Sequence, residues 1–316
     1  MTSNIKISVQ NLHKNFASFK AINNISFNVR EGEVLGFLGP NGAGKSTTMK
    51  MITGFMAPST GTILVDGLDV QKHPREIKKI IGYLPEGAPA YADMTTVGFL
   101  SFIADIRGYR GKEKKQRIDT AIEKANLGSV YRKTIENLSK GFKRRVGLAQ
   151  AILHDPLILI MDEPTDGLDP NQKHEVRELI NEMSRDKAIL ISTHILEEVD
   201  AICNRTAILS QGKIVFDGTP QQLQAMSDSH NTVRLSLMDM LNPNSIQKKL
   251  LALQGVAGAY YETERNSFVI IPDTGSSIIN QVSLMARDEK WKVQEVFVTT
   301  GQLDEVFRNI TTQTTQ

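Results

Sequence analysis

Gly39-Pro-Asn-Gly-Ala-Gly-Lys-Ser-Thr47 is the stretch of sequence that decides the fold. A short apolar strand, Val34–Leu38, precedes it, and the residues that follow continue as a helix. In that setting the spacing G-x-x-x-x-G-K-[ST] matches a phosphate-binding loop, whose glycines let backbone N–H groups converge on phosphate oxygens. The stretch therefore predicts that a nucleoside triphosphate binds at a strand-to-helix junction.

The side chains of this phosphate loop have separate expected roles. Lys45 reaches the terminal phosphates, Ser46 supplies a hydroxyl to Mg²⁺, and the helix N-terminus adds a favourable dipole for an anion. We expect nucleotide contacts from Gly39, Asn41, Gly42, Gly44, Lys45, Ser46 and Thr47.

The length and the hydrophobic content are sufficient for one large core and a second, smaller domain. The 316 residues are 40% hydrophobic, and 37 basic residues against 35 acidic ones leave a charge of +2. That charge is too small to favour nucleic acid or an anionic membrane surface as the main partner. Cys203 is the only cysteine, which indicates a reducing cytosolic compartment. No apolar run approaches the roughly 18 residues of a spanning helix, so any membrane role comes through a partner.

Hydrophobic periodicity divides the first part of the chain into three patterns. Alternating apolar residues over 5–9 and 25–29 predict an antiparallel β layer ahead of the phosphate loop. Spacings of three and four over about 90–150 predict an inserted helical subdomain. The continuous apolar runs Leu157–Met161 and Ala188–Ser192 suit strands buried on both faces of a parallel sheet. We expect an α/β P-loop NTPase domain over residues 1–225.

The second part of the chain has a different pattern. From about Thr232 the expected order is strand, helix, strand, strand, helix, strand, followed by a last helix over Leu303–Ile310. This β-α-β-β-α-β order predicts a small α+β, ferredoxin-like domain over residues 230–316.

Two acids, Asp162 and Glu163, follow the buried strand that ends at Met161. Because phosphate chemistry takes place at the carboxyl ends of strands in open α/β sheets, these acids are placed for catalysis. Asp162 is the candidate Mg²⁺ ligand, and Glu163 is placed to polarise an attacking water as a general base.

A second candidate phosphate contact lies at the start of a later helix. Ser139, within Leu138–Phe142, is an apt N-cap, and with Gly141 it offers N–H and hydroxyl donors. Taken alone, this segment is better explained as an ordinary capped helix with a basic first turn.

The phosphate loop, the capped helix start and the two acids follow one another along residues 4–220 as motifs do in the nucleotide-binding subunit of an ABC transporter. The chain resembles that family. The resemblance makes Glu163 the catalytic glutamate and implies that His194 contacts the γ-phosphate as the switch histidine. The remaining motifs are Walker A at Gly39–Thr47, the LSGGQ-like signature at Leu138–Phe142, Walker B at Leu157–Asp162 and the D-loop at Gly167–Asp169.

The family also places an aromatic ring that stacks on adenine ahead of Walker A. Phe16 occupies that position, and Phe19 is a second candidate. A core phenylalanine in the β layer is the competing interpretation, because aromatic residues are frequent in strands.

The chain departs from the family pattern at three places. Glu86 replaces the usual glutamine, and we expect it still to ligate Mg²⁺. Lys140 and Phe142 replace the glycine and glutamine of the signature, so Ser139 and Gly141 are the residues assigned to nucleotide binding. Asp166-Gly167 stands where Ser-Ala is common in the D-loop.

The resemblance implies an ATPase that uses ATP and Mg²⁺ and pairs with a second ATPase subunit, most simply itself. It also implies a multi-span membrane subunit that docks at Gly87–Asp93, on the inner face of the cell membrane. The C-terminal domain, with Leu303–Phe307, resembles extensions of the export branch; it could regulate or stabilise the dimer, or cover an apolar edge.

Two other classes of function compete with transport. A soluble ABC ATPase that remodels ribosomal or nucleic-acid complexes usually has two cassettes or a long coiled coil, and this sequence has neither. A P-loop kinase would need an acceptor pocket, and a GTPase a guanine-reading Asn-Lys-x-Asp segment, which is not found here.

Overall fold

The computed structural model describes residues 4–87, 90–227, 229–239, 242–273 and 276–313. The chain divides into two compact units, one reaching to Pro220 and the other comprising Gln221–Gln313. Within these residues no helix is both long and apolar enough to cross a membrane.

The first unit alternates strands and helices, as an α/β domain requires. Its elements in chain order are β1 (Ile5–Phe16), β2 (Phe19–Arg30), β3 (Val34–Leu38), α1 (Lys45–Ile52), β4 (Thr60–Val65), β5 (Leu68–Asp69), α2 (Pro74–Ile80), β6 (Ile81–Leu84), α3 (Thr96–Ile106), α4 (Gly111–Lys124), α5 (Lys140–Ile152), β7 (Ile158–Asp162), α6 (Pro170–Met183), β8 (Ala188–Thr193), α7 (Leu196–Ile202), β9 (Arg205–Ser210) and β10 (Lys213–Gly218).

The central sheet of this unit has the strand order β10-β9-β3-β8-β7-β6. All of its neighbouring pairs are parallel except β9 with β10. Strands β3, β7 and β8 are buried along their whole length, in agreement with their uninterrupted apolar sequences. Because parallel strands end at the same edge, the segments after Leu38, Asp162 and Thr193 meet at one edge of the sheet.

A second, antiparallel sheet with the order β2-β1-β4-β5 packs against this core. Its inward residues, among them Ile7, Ile25 and Val65, share one apolar cluster with Phe37 of β3 and Met49 of α1. The hairpin between β1 and β2 pairs Phe16 with Phe19. The first turn of this antiparallel sheet therefore presents two aromatic rings.

Helices α3, α4 and α5 have an apolar cluster of their own. Phe99 and Leu100 of α3 and Ile118 and Ile122 of α4 meet Val146 of α5 there. The basic segment that begins at Gly111 is the first part of α4. These helices occupy the part of the sequence where a helical insertion was predicted.

The second unit begins with a short helix and continues in the order β-α-β-β-α-β, followed by a last helix. Its elements are α8 (Pro220–Gln224), β11 (Val233–Leu237), α9 (Pro243–Leu251), β12 (Val256–Glu262), β13 (Ser267–Pro272), α10 (Ile279–Asp288), β14 (Val293–Val298) and α11 (Leu303–Gln313). The strands form an antiparallel sheet in the order β12-β13-β11-β14.

The division between the units differs slightly from the expected boundary near residue 225. The segment after α8 is tied to the start of α11, because the Ser227 hydroxyl donates to the Glu305 carboxylate at 2.8 Å. The same hydroxyl accepts from the Gln302 N–H at 3.2 Å. The division after Pro220 leaves the rest of α8 in the second unit.

Candidate nucleotide site

The phosphate loop connects β3 to α1, and two of its glycines, Gly39 and Gly44, have no space for a side chain. Gly44 has φ 109°, and a Cβ there would lie 2.4 Å from the Ile22 Cδ1 atom. A Cβ at Gly39 would lie 2.3 Å from the Leu209 carbonyl oxygen. Gly44 is also the N-cap of α1 and makes no side-chain cap hydrogen bond. The first turn of α1 therefore has no side-chain acceptor at its cap, as suits a turn that binds an anion.

Lys45 is held inside this loop. Its ammonium donates to the carbonyl oxygen of Gly39 at 2.6 Å and to that of Pro40 at 3.3 Å. Burial lowers the pKa of Lys45, and the carboxylates of Glu163, Asp162 and Glu86 oppose that effect. The loop thus holds a buried cation that faces acidic groups.

A cavity of ≈ 430 Å³ lies in front of the loop, and we call it the phosphate pocket. It is large enough for part of a nucleotide. Phe16 and Phe19 are 44% and 61% exposed, so neither is a core residue and both rings are accessible. The lining comprises Phe16, Phe19, Ala21, Pro40, Asn41, Gly42, Gly44, Lys45, Ser46, Thr47, Glu86, Asp162 and Glu163.

Asp162, the last residue of β7, is 2% exposed. Its Oδ1 atom accepts a short hydrogen bond from the Ser192 hydroxyl on β8. Its buried Oδ2 atom has no hydrogen-bond partner among the described residues. Buried carboxylate oxygens are rarely left unpaired, so Oδ2 is suited to a ligand in the pocket.

The residues around Asp162 fit Mg²⁺. This ion uses one or two carboxylates and fills its other positions with water and substrate phosphates. Asp162, Ser46 and Glu86 all line the pocket and supply oxygen atoms. Within the described ranges no three acidic, histidine or cysteine side chains are placed so that together they could hold a metal ion, so the protein alone would not form a full coordination shell.

Glu163 and His194 form a pair beside the pocket. The Glu163 Oε2 atom lies 2.9 Å from the His194 Nδ1 atom. Burial raises the pKa of the Glu163 carboxyl, and the His194 contact lowers it in part. Glu163 has φ 53°, an uncommon conformation for a residue with a side chain. Strained residues of this kind are frequent at functional sites, where neighbouring contacts fix them.

Arg144 is one of those neighbours, and it was not identified from the sequence. This α5 residue is 6% exposed and donates to the carbonyl oxygens of Asp162 and Glu163, the latter at 2.7 Å. It also donates to the Pro85 carbonyl oxygen at 2.8 Å, one residue before Glu86. One guanidinium therefore joins α5 to both acidic segments of the pocket.

Not every predicted residue reaches the pocket. Gly39 and His194 are absent from the described lining; the Gly39 carbonyl oxygen accepts from Lys45, and His194 contacts Glu163. Ser139 and Gly141 are absent from the described lining of the pocket. Ser139 caps α5 by accepting from the Phe142 N–H at 3.3 Å.

The segment Leu138–Phe142 instead meets the D-loop, and we call this region the signature face. Lys140 lies 2.8 Å from the Asp166 carboxylate, and its aliphatic chain lies over Gly167. A Cβ at Gly167 would be 2.6 Å from the Lys140 Cδ atom. A Cβ at Gly141 would be 2.5 Å from the Gln172 Oε1 atom. Lys140 of the signature and Asp166-Gly167 of the D-loop, which both depart from the family pattern, therefore contact each other.

Comparison with known proteins places this site in a family. The sequence model of the ABC transporter family matches residues 22–166. YxlF of Bacillus subtilis (strain 168), an uncharacterized ABC transporter ATP-binding protein, is 36% identical over 235 residues, covering 74% of this chain and 78% of YxlF. YbhF of Escherichia coli (strain K12), a probable multidrug ABC transporter ATP-binding protein, is 36% identical over 222 residues, which are 70% of this chain but only 38% of YbhF.

A solved structure agrees with the sequence relatives. The structure of an ATP-binding subunit of an ABC transporter superposes with a TM-score of 0.64 and 31% identity. The match covers 69% of this chain and 92% of that one. The P-loop NTPase α/β fold expected from the phosphate loop is thereby confirmed. The chain belongs to the ATP-binding proteins of the ABC transporter family.

Proposed function

We propose that the chain hydrolyses ATP as the energy-supplying subunit of a membrane transporter, with Glu163 as the general base. The observation behind this proposal is the Glu163–His194 pair, 2.9 Å apart, beside a pocket that contains Lys45. A general base needs a carboxylate within reach of the water it activates and a pKa suited to accept a proton. Burial raises the pKa of Glu163 in the required direction.

In the proposed reaction, water attacks the γ-phosphorus of ATP and loses its proton to Glu163. The new bond joins the water oxygen to the γ-phosphorus, and the bond to the β,γ-bridging oxygen breaks, so that ADP leaves with both electrons. Lys45 and the phosphate loop hold the phosphates, while His194 orients Glu163 and faces the γ-phosphate. Phe16 stacks on adenine, with Phe19 beside it.

Mg²⁺ supplies charge neutralisation for the β- and γ-phosphate oxygens when it is bound. Asp162, Ser46 and Glu86 would hold it, and the unpaired Asp162 Oδ2 atom supports that assignment. Glu86 brings a negative charge where the family has a neutral glutamine. We expect it to remain a ligand because its carboxylate lines the same pocket.

The placement of the signature supports a dimer. Ser139 and Gly141 do not line the described phosphate pocket of their own chain. In a two-fold dimer the signature of one subunit would complete the pocket of the other, giving two equivalent composite sites. The second subunit is another copy of this chain or a related ATPase subunit.

The membrane subunit would dock near Gly87–Asp93, of which Ala88 and Pro89 lie outside the described residues. An apolar groove of ≈ 490 Å³ next to this segment supports that location. It is lined in part by Phe55, Tyr83, Pro85 and Arg107, and Phe55 is 68% exposed. Pro85 precedes Glu86, so a helix docked here would act directly on the pocket. The chain would then lie in the cytoplasm, peripheral to the inner face of the membrane.

The proposed direction is export, which rests on the resemblance of the C-terminal domain to extensions of the export branch; the name of YbhF adds multidrug transport but no direction. The competing function is remodelling of a ribosomal or nucleic-acid complex by a soluble ABC ATPase. The near-neutral charge of +2 argues against nucleic acid as a partner.

One capture experiment separates the two functions. Glu163→Gln, which should bind ATP without turnover, is isolated with ATP and Mg²⁺ from solubilised membranes of the producing cell. Lys45→Ala, which should bind ATP poorly, is the matched control. Stoichiometric recovery of a multi-span membrane protein with Glu163→Gln alone supports transport. Recovery of only ribosomal or DNA-associated proteins contradicts it.

A further inference from the structure

Glu198, on α7, is a buried acid that has no part in the chemistry proposed above. Its side chain is 0% exposed, although it lies only four positions after the exposed His194. Burial of a carboxylate is costly unless hydrogen bonds or opposite charges compensate for it. The contacts that compensate Glu198 therefore indicate what it stabilises.

Two threonine hydroxyls provide most of that compensation. Thr193 donates to the Glu198 Oε2 atom at 2.8 Å, and Thr165 donates a short hydrogen bond to Oε1. The Lys173 ammonium, at 3.8 Å from Oε1, adds a longer electrostatic contact. Both threonines are buried, at 0% and 1% exposure. Their hydroxyls are thus fixed on opposite sides of one carboxylate.

These threonines border the residues of the catalytic pair. Thr193 immediately precedes His194, and its hydroxyl also accepts from the Ile195 N–H at 3.1 Å. Thr165 lies in the turn after Glu163, in which the Asp166 N–H donates to the Glu163 carbonyl oxygen at 3.1 Å. Glu198 therefore joins the segment that contains His194 to the turn that contains Glu163.

We propose that Glu198 is a positioning residue for ATP hydrolysis, holding Thr193 and Thr165 so that His194 and Glu163 stay in contact. This inference rests on the proposed roles of Glu163 and His194. Glu163 has a left-handed backbone and an exposed histidine partner, so the pair needs fixed supports on both sides. Small displacements of a general base reduce turnover steeply.

A purely structural role for Glu198 makes a different prediction. If Glu198 only compensates buried hydroxyls, its loss lowers stability but leaves the turnover of folded protein unchanged. A positioning role lowers kcat while leaving the KM for ATP nearly constant, because the pocket that binds the nucleotide is separate.

The test uses the full chain and three variants: Thr165→Val, Glu198→Gln and the double variant. Thr165→Val removes one hydroxyl and keeps the β-branched shape. Thr206→Val on β9 is the matched control, since Thr206 is also 0% exposed and its hydroxyl has no hydrogen-bond partner in the described structure. Steady-state kcat and KM are measured well below each unfolding midpoint, and Thr165→Ser tests rescue by a retained hydroxyl.

We expect kcat to fall about tenfold or more in Thr165→Val and in Glu198→Gln, with KM within about twofold of the wild type. The double variant should be no worse than the poorer single variant, because both act through one contact. Thr165→Ser should recover most of the rate, and Thr206→Val should stay within about twofold of the wild type.

Several outcomes would overturn the assignment. It fails if Thr165→Val turns over ATP like Thr206→Val, if the losses of the two single variants multiply, or if kcat merely follows the unfolding midpoint across all variants. The proposed function is tested separately by Glu163→Gln. If that variant keeps wild-type turnover, the role of Glu163 is wrong; if it is inactive while Thr165→Val is normal, only the role of Glu198 is wrong.

Discussion

The side chains of the phosphate pocket and those of the signature face are fixed by different kinds of interaction. In the pocket, Lys45 is 7% and Asp162 is 2% exposed, and buried hydrogen bonds fix both. On the signature face, the Lys140 and Asp166 side chains are 71% and 49% exposed, and a single ion pair joins them. Buried polar networks are rigid, whereas exposed ion pairs stabilise a geometry only weakly. The phosphate pocket is thus held rigidly and the signature face is adjustable, and we call them the rigid half and the adjustable half of the proposed composite site.

That difference suits a site that two subunits complete. In the proposed dimer, the rigid half would keep the general base and the metal ligand in place before ATP arrives. The adjustable half would accept the nucleotide of the other subunit. Substitutions in the first half should therefore affect chemistry, and those in the second should affect assembly.

The largest effect is expected in the rigid half. Glu163→Gln should lower kcat by about 10²–10³-fold, because an amide cannot accept the proton of the attacking water. Nucleotide binding should be retained, since the phosphate loop is unchanged. The measurements are phosphate release and binding of a fluorescent ATP analogue. Glu178→Gln, an exposed acid on α6, is the control. A rate within tenfold of the wild type would mean that another group is the base.

Mixing two inactive proteins tests whether the two halves meet across a dimer. Lys45→Ala disables the pocket, and Ser139→Ala disables the signature. In a mixed dimer one composite site has both defects and the other has none. Random mixing makes about half of the dimers mixed, so about one quarter of wild-type turnover should return if the sites act independently.

The control for this experiment is each variant alone at the same total concentration. If mixing restores no activity at any ratio, while both proteins still dimerise, the pocket and the signature do not act across a subunit boundary. If Ser139→Ala alone is fully active, the serine of this signature does not contribute to turnover.

A smaller effect is expected in the pH dependence of turnover. Glu163 must be ionised to act as a base, and burial raises its pKa while His194 lowers it. Removal of His194 therefore raises the pKa further, and the acid limb of the kcat profile moves to higher pH. Profiles of His194→Ala between about pH 5 and 8 measure this shift. His174→Ala, an exposed histidine that also contacts a glutamate, should leave the limb unmoved. If the acid limb of the kcat profile lies at the same pH in His194→Ala as in the wild type, His194 does not lower the pKa of Glu163.

Much of the rigid half could be predicted from the sequence because its signals are local. The phosphate loop follows one apolar strand, and the acids Asp162 and Glu163 follow another. The sequence could therefore predict both strands and the edge of the sheet at which these residues lie. Periodicity also predicted the order of strands and helices from Val233 onward, whereas β1 and β2 extend well beyond the alternating residues over 5–9 and 25–29. Phe16 could be proposed only by resemblance, and its exposure came from the structure.

The supports of the site could not be predicted, because their contacts join distant residues. Arg144 has the sequence context of an ordinary basic helix turn, yet it donates to the carbonyl oxygen of Pro85, 59 positions away. Glu198 follows Glu197 in a helix that looks solvated, and it meets Thr165 across 33 positions. Such contacts depend on how strands are ordered in the sheet, which no local pattern specifies.

The smallest effect is expected at the signature face, where Lys140 and Asp166 both depart from the family pattern. Their coupling can be measured with Lys140→Gln, Asp166→Asn and the double variant. Because both side chains are largely exposed, we expect a coupling of about 0.2–1 kcal/mol in the free energy of unfolding. The coupling should decrease at high salt, because screening weakens exposed charge pairs. Urea unfolding at low and high salt provides the measurement.

A matched control tests whether the Lys140–Asp166 ion pair has a role in ATP turnover. Lys292 and Asp239 form another exposed ion pair, 2.6 Å apart, in the second unit. Neutral variants of that pair should not change ATP turnover. Neutral variants at Lys140 and Asp166 should change turnover and its dependence on protein concentration, because they alter the face that would meet the partner subunit in the proposed dimer. If both pairs behave alike, the Lys140–Asp166 contact is an ordinary surface pair, and the signature face owes its shape to Ser139, Gly141 and Gly167 alone.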